Sequence, residues 1–167
     1  LESVITTRDW NVTWYHTTDQ FGGWGSQMGT QTLGSNFHLT TVSYAGESLH
    51  LGFKASTTFE LTQEGTINFV IGSDDGSILR VDGDEQINMW LLQGYDTSSI
   101  DLQLTAGEHR LEMWFYQWEG SAEVSFEYHQ IGWQESINMM VGGATLLALG
   151  AVIAIVGRAL KPKAGSG

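Results

Sequence analysis

The sequence predicts an all-β antiparallel sandwich followed by one C-terminal transmembrane α-helix. Three observations predict it: short runs of alternating apolar and polar residues before position 136, turn signals between those runs, and one uncharged stretch after Glu135. Alternation with a period of two marks strands with one buried face, and a run of about 20 apolar residues marks a membrane-crossing helix. The expected parts are residues 1–135 as the sandwich, 136–157 as the helix and 158–167 as a short basic tail.

The first 45 residues carry the weakest signal. TTDQFGGWGSQMGTQTLGSN (17–36) is rich in Gly, Ser and Thr and reads as a long loop or irregular edge. From Thr58 onward, TFELT, TINFVIG, SILRV, EQINMW, SIDLQL, HRLEMWFYQW and AEVSFEYHQI read as strands. In the last of these, Val124, Phe126 and Tyr128 point one way and Glu123, Glu127 and His129 the other. The separators are Gln63-Glu64-Gly65, Asp75-Gly76, Asp82-Gly83, Ala106-Gly107 and Glu119-Gly120. No helical period and no internal repeat interrupts them, and many short strands at this spacing suggest an antiparallel sandwich or barrel.

The stretch SINMMVGGATLLALGAVIAIVG lies between Glu135 and Arg158 and carries no charge. As a helix it would be about 33 Å long at ~1.5 Å per residue, enough for a hydrocarbon core of about 30 Å. Arg158, Lys161 and Lys163 follow it and are expected to stay cytoplasmic, which places the N-terminal domain outside, in a periplasm or at a cell surface. Leu1 in place of a start methionine fits a removed export signal. Trp133 stands where an aromatic ring favours the membrane interface. Gly143, Gly150 and Gly157 recur every seven residues and share a helix face with Ala154, a surface on which another membrane helix can pack closely.

Charge narrows the function. All 19 acidic residues precede position 136, against four basic ones, Arg8, Lys54, Arg80 and Arg110. Such a body repels phosphate backbones, so nucleic acid is not an expected partner. With no cysteine, disulfides and thiolate metal sites are excluded. The five histidines, at 16, 38, 50, 109 and 129, form no pair at metal-ligand spacing within one element. No serine stands in a nucleophile elbow, and adjacent Asp74 and Asp75 are the wrong arrangement for a glycosidase pair. No enzyme is expected. Asn11-Val12-Thr13 matches an N-glycosylation acceptor, a triplet common by chance.

Chemistry concentrates in GSDDGSILRVDGDEQINMW (72–90). The segments Ser73–Ser77, Val81–Gly83, Trp90, Leu104–His109, Met113–Gln117 and Ala122–Tyr128 follow one another in an order and spacing that resemble the protective-antigen 14-kDa domain family. The resemblance covers roughly residues 10–133 and excludes the apolar stretch. It implies a β-sandwich located outside the cytoplasm. In lectin-like members two consecutive aspartates bind calcium across a cis peptide and the ion binds sugar hydroxyls; Asp74 and Asp75 hold the matching positions. The asparagine-bearing second loop of those members has no counterpart that the sequence identifies.

Calcium takes six to eight oxygens. Asp74 and Asp75 would supply two carboxylates, and the loop Gln117–Gly120 is the candidate for more. The competing reading is a turn in which both carboxylates accept backbone N–H bonds. His109 belongs to the family turn rather than to catalysis. Trp118, beside Glu119 at a turn, is the expected exposed contact for a ligand or partner. Two functions stay open. The first is a non-catalytic accessory subunit of a membrane assembly, in contact with the bilayer and with other subunits through the glycine face, its sandwich capping or bracing the outer side. The second is a membrane-tethered, calcium-dependent carbohydrate-binding adhesin.

Overall fold

A computed structural model describes residues 5–131, which form eleven strands in two antiparallel sheets. The strands are β1 Ile5–Thr7, β2 Trp10–Thr17, β3 Trp24–Leu33, β4 Phe37–Leu39, β5 Leu51–Leu61, β6 Gly65–Asp74, β7 Gly76–Val81, β8 Asp84–Met89, β9 Asp96–Leu104, β10 Gly107–Gln117 and β11 Glu123–Ile131. The larger sheet runs β3-β2-β5-β10-β7-β8, with β1 also on β5; the smaller runs β4-β11-β6-β9.

Alternation builds the core. From the larger sheet the inward set includes Trp10, Val12, Phe53, Leu79, Met113 and Phe115; from the smaller it includes Ile67, Phe69, Ile71, Val124 and Phe126. Each is buried, and Trp10 stands edge-on to Phe126, their ring centres 4.8 Å apart. Two facing sheets of this kind make a sandwich.

The expected fold class needs one correction. The described residues contain no helix, and among them none is long and apolar enough to cross a membrane, so the architecture is all-β. The membrane-helix expectation rested on length and missing charge in 136–157. That segment, with Gly143, Gly150, Ala154 and Gly157, lies outside the described residues. The Gly-rich stretch 17–36, expected as a long loop or irregular edge, holds an irregular edge strand that the sequence does not delimit. Half of it is β3, the edge strand of the larger sheet, joined to β2 with register shifts near Tyr15. It escapes sequence reading because nine of its ten residues are exposed or half-buried, leaving no alternation to detect.

The outer face of the larger sheet carries its own cluster. Lys54 Nζ lies 5.5 Å from the Tyr15 ring centre and 4.8 Å from those of Trp24 and Trp114, and Arg80 stacks on Trp114 at 4.2 Å. Cation–π contacts are worth about 0.5–1 kcal/mol at exposed sites and ~2 when desolvated. Lys54→Met keeps the apolar stem and removes the charge. It is expected to cost about 1 kcal/mol, read as a lower denaturation midpoint.

Candidate functional site

Asp74 and Asp75 sit where the chain changes sheets. Asp74 ends β6 in the smaller sheet, opposite Glu123, and Gly76 opens β7 in the larger, opposite Tyr116. Asp75-Gly76 is therefore a crossing between layers, not the hairpin turn its dipeptide predicts. Asp82-Gly83 does form the β7–β8 hairpin turn, with φ of 53° and 92°. Gly76 is required: a Cβ there would collide with the Tyr116 ring. The peptide between Asp74 and Asp75 is cis.

The crossing brings together segments far apart in sequence. Asp75 is 3% exposed. Its Oδ2 accepts the Trp118 N–H at 2.7 Å and its Oδ1 accepts the Gln93 N–H at 3.3 Å. One buried carboxylate thus holds the β8–β9 loop (residues 90–95) and the β10–β11 loop (residues 118–122). Beneath it, Ser73 and Ser77 hydroxyls bond at 2.8 Å, both buried. Gln117 is fully buried; its Nε2 donates to the Glu119 carbonyl at 2.6 Å, and its Oε1 has no hydrogen-bond partner.

Asp74 is half-buried. Loss of hydration, then the charges of Asp75 and Glu123, raise its carboxyl above the ordinary aspartate range. No lysine or arginine occurs in any loop at this end (residues 18–23, 40–50, 90–95 and 118–122). Glu123 is bonded to His38 at 2.6 Å. The same pattern of burial near carboxylates pushes the Tyr116 phenol up to about 12, first by desolvation and then by Asp75 and Asp19; its hydroxyl donates to the Gln20 carbonyl at 3.2 Å.

The loop Gln117–Gly120 does reach the aspartates, through Trp118 N–H. The Trp118 side chain is half-buried, its ring centre 4.1 Å from that of His50, while Glu119 is exposed. Sequence reasoning missed Gln93, Glu123 and the exposed Phe21, Leu91 and Leu92, and it named Gln117 only as the start of the Gln117–Gly120 loop. For Gln117 a signal existed: it continues the odd-numbered inward set of β10. His109 stands at the opposite end of the sandwich, between Asp82 and the Thr105 carbonyl. Among the described residues no group of three or more His, Asp or Glu could hold a metal by itself.

No family model matches the chain, and no curated protein matches it. Solved structures do share the fold. The anti-sigma factor domain-containing protein superposes at TM-score 0.60 and 19% identity, over 73% of this chain and 43% of that one. A PA14 sugar-binding domain from an RTX adhesin gives 0.54 and 18%, over 76% and 92%. The GH31 alpha-xylosidase of Xanthomonas citri gives 0.54 and 13%, over 70% of this chain but only 13% of that enzyme. At such identities these likenesses define the class as this β-sandwich and no more.

Proposed function

We propose that the described residues form a non-catalytic carbohydrate-binding module of the protective-antigen 14-kDa type, with its ligand end at Asp74 and Asp75. The observation that carries this is the Asp74 carboxylate, half-buried beside Asp75 and Glu123 with no lysine or arginine in the loops around it. A cation would relieve that repulsion. The likeness to a PA14 sugar-binding domain, of which this chain spans 92%, supports the same reading.

The donors fit calcium, a hard ion that prefers oxygen. Asp74 and Asp75 would hold it. Each Asp75 oxygen accepts one N–H and keeps a second lone pair, and Gln117 Oε1 is a buried oxygen without a partner. Calcium, when bound, offers a Lewis-acidic centre to neighbouring sugar hydroxyls. The chain's own part is to fix the two carboxylates and shield them from water with the loops that Asp75 holds. A site with two carboxylates is a weak calcium site, suited to the calcium-rich space outside the cytoplasm. The accessory-subunit reading rests on Gly143, Gly150, Ala154 and Gly157, which lie outside the described residues.

The test is a glycan-array measurement on the full chain in millimolar calcium and in EDTA, with Asp74→Asn beside it. Binding is expected to fall at least about tenfold, roughly 1.4 kcal/mol, in EDTA and in the variant. The variant's folding stability should equal or exceed that of the calcium-free parent, because a repelled charge is gone. Calcium affinity should also weaken on acidification sooner than for an ordinary aspartate, since protons compete at the raised Asp74 carboxyl. Glycan binding indifferent to both EDTA and the substitution would sink the reading.

A further inference from the structure

The loop end carries a second feature that the glycan reading leaves unused. Six large apolar side chains are exposed among the described residues, and five of them, Phe21, Leu49, Leu91, Leu92 and Tyr95, lie on loops at this one end; Ile131 is at the other. Phe21 is 74% exposed, Leu91 52% and Leu92 48%. Scattered apolar side chains need no explanation, whereas a concentration on adjoining loops does.

Hydrogen bonds tie down the two loops that carry Phe21, Leu91 and Leu92. Asp19 Oδ1 accepts the N–H groups of Phe21 at 2.9 Å and Gly23 at 3.1 Å. The Phe21 carbonyl accepts Trp90 Nε1–H at 2.8 Å, and the preceding Gln20 carbonyl accepts the Tyr116 hydroxyl. A Cβ on Gly22, whose φ is +74°, would meet the Trp90 ring at 2.5 Å. Across that ring, Trp90 N–H bonds Asn88 Oδ1 at 3.0 Å and Leu91 N–H bonds the Met89 carbonyl at 2.9 Å. The two loops are locked to each other through Trp90, so Phe21, Leu91 and Leu92 form a pre-organised group. Pre-organisation lowers the ordering cost of binding.

The charge around them selects the occupant. Asp19, Glu47, Asp74 and Glu119 stand at this end with no lysine or arginine in its loops. An anionic lipid surface would be repelled, and so would a second copy presenting the same end. We propose that Phe21, Leu91 and Leu92 are a docking surface for a partner protein whose contact segment is apolar at its centre and lysine- or arginine-rich at its rim. The apolar side chains supply the dehydrated centre and the carboxylates the complementary rim. This goes beyond the glycan reading and needs no calcium.

The test is a fluorescence-anisotropy titration of a labelled amphipathic peptide of leucine and lysine against the full chain in EDTA. The triple variant Phe21→Ser, Leu91→Ser, Leu92→Ser is expected to weaken binding at least about tenfold, and Ile131→Ser at the opposite end to leave it unchanged. All three proteins carry the same charge. Equal binding by all three would therefore mean attraction to the acidic body alone and would overturn the proposal. Binding to phosphatidylcholine vesicles in place of the peptide, or self-association abolished by the triple variant without peptide binding, would overturn it too. Leu92→Ser alone, expected to weaken binding severalfold, serves if the triple variant unfolds. Because EDTA removes calcium, a failure here leaves the glycan reading untouched, and a failure of the glycan array leaves this one untouched.

Discussion

Asp75→Ala is expected to cost about 3–5 kcal/mol of folding stability, because it removes two hydrogen bonds to a buried carboxylate, each worth ~1.5–3 kcal/mol. The Trp118 contact at 2.7 Å should carry more of this than the Gln93 contact at 3.3 Å. Both N–H groups belong to loops, so losing their acceptor leaves donors that can recover only by moving out to water. Asp75→Asn can retain one acceptor and is expected to lose about half as much. Urea titration reads the effect: the midpoint should fall with the slope nearly constant, as for a change in stability without a change in compactness. A loss below about 1 kcal/mol for the alanine variant would mean the loops do not depend on this carboxylate. Asp74→Asn separates the two aspartates. It should weaken the proposed calcium binding without this loss, whereas Asp75→Ala should weaken that binding and destabilise the fold as well.

The different duties of these neighbours show where the sequence could and could not be read. Local patterns were legible. Val124, Phe126 and Tyr128 against Glu123, Glu127 and His129 gave β11 its two faces, and Asp82-Gly83 gave the β7–β8 turn. The order of hairpins was enough to place Gln117–Gly120 near the aspartates. What failed were features decided by distant partners. Asp75-Gly76 has the same dipeptide as a hairpin turn, but β6 and β7 belong to different sheets, and no local pattern records that. The partners that bury Asp75 lie 18 and 43 residues away. Trp114 and Tyr116 are on the outward set of β10, where alternation predicts polar residues, and they are covered by Lys54, Trp90 and the 18–23 loop instead. The strand β3 had no alternation because its faces are mostly exposed.

At the end of the sandwich opposite Asp75, a positive charge does the corresponding work, and its prediction is a dependence on pH. His109 is 7% exposed. Its Nδ1 lies 2.7 Å from Asp82 Oδ2 and its Nε2 lies 2.9 Å from the Thr105 carbonyl. Both partners accept, so the ring makes both bonds when both of its nitrogens are protonated. Burial opposes this charge, but the bonds to Thr105 and Asp82 and the Asp82 charge outweigh it, and the His109 pKa lies above the ordinary histidine value. A raised pKa means that the folded state binds the proton more tightly than the unfolded chain. The stabilisation is therefore full below about pH 6.5, the unfolded value, and is lost as pH rises through the higher folded value. His109→Ala is expected to cost about 3 kcal/mol in mildly acidic solution, as two hydrogen bonds to a charged group disappear and the stack on Phe59 at 5.3 Å is lost. The gap between parent and variant should narrow steadily above neutrality. Subtracting the two urea-denaturation profiles removes every pH dependence that the two proteins share. A gap of constant size from acid to alkaline pH would show that His109 acts by packing alone. A narrowing gap would establish that its charge ties the β9–β10 turn to Asp82 of the β7–β8 hairpin.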